Sequence, residues 1–237
     1  MNILIHETFQ ETVQGEGHWV GLPIDFIRLA GCPVGCHFCD TGYANGNQIK
    51  GYQQSIPSLL SELKSLNVVI SGGEPFTNKQ LPDLIKALLD NNRHVHLETS
   101  GSFWQEIDDR VWIALGGLVP YTSDKVKLQK WLDFCFAIIM QRYKTTGVMP
   151  KIHLLGVTTD WVLKRYPCFS SDSSSWVSCL RFGGGSAAGI KQIPRYKESG
   201  GAMAATIHTL RSEIRKYKKM EEEATNLWTK RGIIFND

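Results

Sequence analysis

Three short strand-like runs in the first half of the chain, two stopping on glycine and the third on a Thr-Ser-Gly turn, have a helix-spaced segment between each pair. That alternation restricts the fold more than any other feature. Pro23–Ala30 stops at Gly31, Asn67–Ser71 stops at Gly72-Gly73, and His94–Glu98 runs into Thr99-Ser100-Gly101. Between them, Leu59, Leu60, Leu63 and Leu66 recur at helical spacing, as do Leu81, Leu84, Ile85, Leu88 and Leu89. Short apolar runs bounded by turn residues read as buried strands. Their alternation with helices predicts a parallel α/β sheet, open or closed into a barrel. Val111–Leu115 continues the series. Such sheets bind ligands at the C-terminal ends of their strands, and the glycine-ended loops fall there.

The second half continues with strand-like segments at 151–156 and 168–170, and a helical segment at 131–143. A serine-rich run at 170–175 and Gly183-Gly184-Gly185-Ser186 read as loops. Residues 202–230 form a long helix candidate, with Met203, Ile207, Leu210, Ile214, Tyr217, Ala224 and Leu227 on one stripe. The stripe either packs on its own domain or pairs two copies into a homodimer. The fold class predicted is α/β, a hybrid partial (β/α) barrel of parallel strands with a long C-terminal helix. With 237 residues, 42% of them hydrophobic and 21% charged, the chain can bury a core and is not globally disordered. Phe134–Met140 is far short of the ~20 apolar residues of a membrane helix. The N-terminus lacks the basic and apolar regions of a secretory signal. The expected location is cytoplasmic, with no membrane partner.

Charge divides the chain. Residues 1–115 hold 7 Lys+Arg and 13 Asp+Glu, a balance of −6; residues 116–237 hold 19 and 10, a balance of +9. The basic half either meets nucleic acid or is a solvated helix.

Three of the six cysteines, Cys32, Cys36 and Cys39, stand within eight residues, at C-x3-C-x2-C spacing. A disulfide framework would spread its cysteines, so metal binding is the better reading. Three thiolates on one loop hold three corners of a [4Fe–4S] cluster and leave the fourth iron open. The alternatives are a zinc site, which would need a fourth ligand such as His37, and plain buried cysteines.

This loop resembles that of the radical S-adenosylmethionine enzymes. The resemblance implies that the open iron binds the methionyl end of the cofactor, and that reductive cleavage yields a 5′-deoxyadenosyl radical. An external electron donor is implied as well. Phe38 matches the residue that flanks the adenine, and Ser71-Gly72-Gly73-Glu74-Pro75 matches the glycine-rich strand end that binds the methionine amine. More narrowly, Glu11–Gly17, Phe26–Cys32, Cys39-Asp40-Thr41 and Leu97–Gly101 resemble the 7-carboxy-7-deazaguanine synthase family, over about residues 1–115. That family contracts 6-carboxytetrahydropterin to the deazapurine and releases ammonia. The resemblance implies Gln14, Glu16 and Arg28 as pterin contacts, Thr99 at the cofactor, and Thr41 at a magnesium ion. Read as residues alone, Gln14 and Glu16 are also compatible with a polar turn. Arg28 suits either a carboxylate clamp or a strand-end salt bridge.

After Leu115 the synthase motifs stop. Ala114–Val119, His153–Thr158 and Ser171–Trp176 resemble the later part of the tRNA-guanine transglycosylase barrel and its DNA-modifying relatives. That likeness implies base recognition at Gly116 and Gly117 and a nucleophile at Asp172. The plainer reading of Asp172 is a turn in a serine-rich loop. The organisation expected is a synthase-like radical SAM half-barrel over 1–115, then a transglycosylase-like half-barrel plus helix over 116–237. The function expected is conversion of carboxytetrahydropterin to 7-carboxy-7-deazaguanine. The alternatives are base exchange in nucleic acid and a non-catalytic chimeric remnant.

Overall fold

The alternation read from the sequence forms one sheet. The structure, a computed structural model, describes residues 1–36, 39, 41–42, 50–116, 124–172 and 201–235, over 201–210 as backbone only. Contacts divide the chain into two compact units, Met1–Leu155 and Gly156–Asp237.

The first unit contains strands β1 (Asn2–Val13), β2 (Pro23–Leu29), β3 (Tyr52–Ser55), β4 (Asn67–Gly72), β5 (His94–Thr99), β6 (Trp112–Leu115) and β7 (Ile152–Leu154). Their spatial order is β3-β1-β2-β4-β5-β6-β7. The predicted strands β2, β4, β5, β6 and β7 pair in parallel. β1 and β3 are additions that the periodicity did not show, and both pair antiparallel. β7 continues the sheet beyond Leu115, the point at which the charge changes, and Leu155 N–H donates to the Leu115 carbonyl at 2.9 Å.

Helices α1 (Ile56–Glu62), α2 (Leu81–Asp90) and α3 (Lys125–Thr146) connect the strands. Ser55 caps α1 by accepting from Ser58 N–H. α3 starts earlier than its apolar spacing indicated, because Asp124 accepts from Val126 and Lys127 N–H. Gly147, at φ 73°, ends it.

Strand pleating sends alternate residues to opposite sides. One side carries Ile27, Leu29, Val68, Ile70, Val95, Leu97, Ile113, Leu115, Ile152 and Leu154, all buried. Asp25 shares that side and is fully buried. Its carboxylate accepts from the backbone N–H of Glu11, Lys64 and Ser65, which ties the end of α1 to β2. The other side carries Ile24, Phe26, Arg28, Val69, Ser71, His96, Glu98, Trp112, Ala114 and His153. A loop from Gln14 to Leu22 folds over it. Gln14 N–H donates to the Leu22 carbonyl at 3.0 Å and Gly21 N–H to the Gln14 carbonyl at 2.8 Å, closing the loop at its neck. Trp19, near the tip, is buried against Ile24 and Val69.

The second unit contains α4 (Asp160–Arg165), β8 (Ser170–Ser171) and α5 (Gly201–Lys230). Trp228 Nε1–H donates to the Leu163 carbonyl at 2.7 Å, and Lys164 Nζ pairs with Glu223 at 2.7 Å. Among the described residues no helix is long and apolar enough to cross a membrane.

Candidate active site at the C-terminal rim of the sheet

The loops after β2 and β4 are bonded to each other. Gly73 N–H donates to the Leu29 carbonyl at 2.8 Å and Glu74 N–H to the Gly31 carbonyl at 3.0 Å. A Cβ at Gly72 would fall 2.2 Å from the Leu29 carbonyl oxygen, and one at Gly73 would fall 1.7 Å from that of Gly31. Gly72 also has φ +120°, a backbone region that side chains rarely adopt. Any side chain at either position would push the two loops apart.

Cys32 follows Gly31 directly. Cys32, Cys36 and Cys39 are half-buried, and none is in a disulfide. Cys39 N–H donates to the Cys36 carbonyl at 3.2 Å, and Cys39 Sγ lies 3.1 Å from the hydroxyl of buried Thr41. By contrast, burial pushes the Cys135 and Cys168 thiols up to about 12, so both stay protonated and make poor ligands. Three accessible thiols on a single loop fit an iron–sulfur cluster as a donor set. Among the described residues no three His, Cys, Asp or Glu side chains are gathered tightly enough to hold a single metal ion. Phe38 lies outside the described residues.

Glu74 joins a third loop to the first two. It is buried, and its Oε1 accepts from Phe76 N–H at 3.1 Å and from the Thr99 hydroxyl at 2.6 Å. Its Oε2 accepts from Ser100 N–H at 2.9 Å and from the Ser100 hydroxyl. From α3, Trp131 Nε1–H donates to the Ser100 carbonyl at 2.9 Å and Cys135 Sγ–H to that of Gly101 at 3.6 Å. Gly116 joins the same rim, its N–H donating to the Thr99 carbonyl at 2.9 Å. Gly117 lies outside the described residues. The rim therefore brings together the loops of Cys32–Cys39, Gly72–Glu74, Thr99–Gly101 and Gly116.

On the loop-covered side, Arg28 Nε lies 2.8 Å from Glu7 Oε1, with the guanidinium over the Phe26 ring. Gln14 is buried, and its side-chain amide donates to Glu98 Oε1 at 3.1 Å. Glu16, on the same loop, is exposed. In the second unit, Asp172 Oδ1 accepts from Gly156 N–H at 2.9 Å.

The motifs missed a cluster of rings beneath this loop. His18 stacks on Trp112 with centroids 4.5 Å apart, Trp19 meets His96 edge-on, and Lys151 Nζ lies over Trp112. A Cβ on Gly17 would come within ordinary contact of both His96 and His153. The signal was present: His94, His96 and Glu98 alternate with Val95 and Leu97, so one side of β5 is polar.

His96 Nδ1 is buried with no hydrogen-bond partner. Burial first, then nearby His153 and His18, push the His96 imidazole down to about 3 from its ordinary 6.5. Below pH 6.5 the unfolded chain takes up a proton that the folded chain refuses. The stability from neutral His96 is therefore complete above pH 6.5. It falls by about 1.4 kcal/mol per pH unit as pH drops towards 3. Unfolding measured between pH 6.5 and 5 should show a loss to which His96 contributes about 2 kcal/mol; His96→Leu should remove that share and leave the smaller one from His18, whose imidazole is also pushed down by burial and by Lys151. An unchanged slope in that variant would assign the loss to other groups.

Residues 26–112 match the model of the radical SAM superfamily. The chain is 41% identical to the 7-carboxy-7-deazaguanine synthase of Aquifex aeolicus, over 44% of this chain and 48% of the relative. It is 36% identical to the synthase of Rickettsia prowazekii, over 60% and 64%. It is 36% identical to the synthase of Bacillus subtilis, over 70% and 73%. A crystal structure of QueE from Escherichia coli is similar over 65% of this chain and 82% of that one, at 25% identity and a TM-score of 0.48. The chain thus spans about half the length of the Aquifex relative and nearly two thirds of the Rickettsia one. Residues 1–115 are less than half of the 237, whereas the Bacillus match covers 70%. The likeness to synthases therefore runs past Leu115, where the sequence motifs stop.

Proposed function

We infer the activity of this chain from its family: it belongs to the 7-carboxy-7-deazaguanine synthases, within the radical SAM superfamily. We propose that it converts 6-carboxytetrahydropterin to 7-carboxy-7-deazaguanine with release of ammonia, in the cytoplasm, using an external electron donor. The observation that carries the reading is the bonding of Gly73 to the end of β2 and of Glu74 to Gly31 at the start of the cysteine loop, and of Glu74 to Thr99 and Ser100.

Cys32, Cys36 and Cys39 would hold a [4Fe–4S] cluster. When bound, the cluster and S-adenosylmethionine would supply radical chemistry for removing a hydrogen from the substrate. The chain's own residues position and shield. The glycine pair lets backbone approach closely beside the cysteine loop, where the methionine end of the cofactor would lie. Glu74 has both carboxylate oxygens engaged, so its part is to fix three loops at one separation. Phe38 and Thr99 would flank the cofactor, and Thr41 would give one oxygen ligand to a magnesium ion. Gln14 and Arg28 would reach the pterin from the loop-covered side, where Trp19 closes the floor. Glu16 would join them from the loop.

No observation favours base exchange. Asp172 is engaged with the Gly156 backbone and Gly116 with that of Thr99.

The test is anaerobic reconstitution with iron and sulfide, then reductant, S-adenosylmethionine and 6-carboxytetrahydropterin. The expected products are 5′-deoxyadenosine, 7-carboxy-7-deazaguanine and ammonia. Deoxyadenosine without deazaguanine would keep the radical chemistry and refute the substrate. Neither product from a fully loaded protein would leave a non-catalytic relative.

A further inference from the structure

We propose that Glu98 determines substrate specificity, accepting hydrogen bonds from the amino-bearing edge of the heterocycle while Arg28 binds the carboxylate at its other end. The proposal deepens the pterin reading above and rests on it.

The argument starts from strand register. Arg28 is level with Ser71, and Ile70 is level with Leu97, which puts Ser71 level with Glu98. Glu98 is in turn level with Ala114. In-register residues of parallel strands point to the same side, so Arg28, Ser71, Glu98 and Ala114 form one row. Neighbouring strands lie about 4.8 Å apart, so Arg28 and Glu98 stand about 10 Å apart across the sheet. A guanidinium and a carboxylate are thus held at opposite ends of a gap floored by one small side chain, Ser71.

The next row down is Phe26, Val69, His96 and Trp112. Val69 and His96 are buried, with Trp19 against both. That row closes the floor. The row above it is half-buried at Arg28, Ser71 and Glu98, so a ligand can reach it. The same row borders the rim that carries the cysteine and glycine loops.

The two ends differ in chemistry. An ionised carboxylate only accepts, and its two oxygens match two adjacent N–H groups, as on an aminopyrimidinone edge. Gln14 donates to Glu98 Oε1 and orients it. Arg28 has one N–H beside Glu7, and a guanidinium carries five donors, so a ligand carboxylate finds a fork there. A flat two-ring heterocycle with a carboxylate at one end and an amidine-like edge at the other fits this pair of charges in one orientation only. A carbonyl in place of the amino group would face a carboxylate with no proton between them. A site built to hydrogen-bond an N–H rejects the analogue that lacks it.

The experiment is equilibrium dialysis of the full chain, cluster-loaded, with S-adenosylmethionine and without reductant. The probes are 6-carboxypterin, 6-carboxylumazine (oxo in place of the amino group) and 6-methylpterin. The wild type should prefer 6-carboxypterin to 6-carboxylumazine by roughly tenfold or more. Glu98→Gln should erase that preference while keeping the preference for carboxypterin over methylpterin. Arg28→Met should do the reverse. Glu98→Asp, which keeps the charge, should retain the amino-group preference even if Glu98→Gln loses structure. Equal weakening of all three probes in Glu98→Gln, or no preference for pterin over lumazine in the wild type, would overturn the proposal and leave the pterin reading standing. Failure of the wild type to bind any of the probes would sink the pterin reading itself.

Discussion

Single replacements of Cys32, Cys36 or Cys39 by Ala should each strip most of the iron from the reconstituted protein and reduce formation of 5′-deoxyadenosine to background. Cys168→Ser should leave both unchanged. The contrast follows from the grouping of three sulfurs on one loop, with Cys168 outside it. A thiol must lose its proton to bind iron, and metal binding is coupled to that loss. Cys168 is held up to about 12 by burial and stays a thiol. The three loop cysteines are half-buried on one stretch of chain after β2, and none is in a disulfide. Their loop is held at Gly31 by Glu74 N–H. Two thiolates cannot hold a cubane that the family holds by three, so each replacement should act like the other two. Iron content, visible colour and deoxyadenosine are read on the same sample. Full iron in any one loop variant would refute the assignment of that cysteine. Loss of iron in Cys168→Ser would show that the second unit supplies a ligand.

The parallel strands were legible because each is a short run with apolar residues in strand spacing that ends at or just before a glycine turn, with helix-spaced segments between the first three. β1 was not. Its pairing with β2 slips between Ile5 and Glu7 and between Phe9 and Thr12, and Glu11 sits at φ 52°. Those irregularities break the period-2 pattern on which a strand is read. The start of α3 was missed for a local reason: Lys125–Lys127 are polar, and the helix begins there because Asp124 caps it. The cysteine loop and the glycine pair were legible because their chemistry depends on spacing along the chain. The Gln14 loop was legible only as a motif; its packing over the sheet, and the parts of Glu98 and His96, were not, because they depend on strands β2, β4, β5 and β6 lying in one register. Glu74 is the clearest instance. Its neighbours in sequence suggest a charge offered to a ligand, and its neighbours in space are four donors that absorb that charge.

That difference leads to the second large effect. Glu74→Ala should cost about 3–5 kcal/mol of stability in the first unit, the range for removing one partner of a buried charged network. Four donors lose their acceptor at once: Phe76 N–H, the Thr99 hydroxyl, Ser100 N–H and the Ser100 hydroxyl. Glu74 is only 2% exposed, and a water in the vacated space carries no charge and accepts at most two hydrogen bonds, so it replaces the carboxylate only in part. Glu74→Gln should fail almost as badly despite its shape. Each carboxylate oxygen accepts from one backbone N–H and one hydroxyl, so an amide NH2 in either place meets an N–H head-on, Phe76 at one oxygen or Ser100 at the other, even if the hydroxyl turns to accept from it. Thr99→Val removes one donor to the carboxylate, leaving it the other three, and the acceptor of Gly101 N–H, so it should cost less than Glu74→Ala, about 2–3 kcal/mol. Denaturant unfolding separates these cases, and binding of S-adenosylmethionine below the unfolding range shows whether the rim still holds its loops together. If Glu74→Gln unfolded like the wild type but lost the cofactor, the carboxylate would be a ligand rather than the tie between β4 and β5. The four bonds to Glu74 predict the opposite order: stability falls first, and cofactor binding weakens only as far as the Gly72–Glu74 and Thr99–Gly101 loops separate.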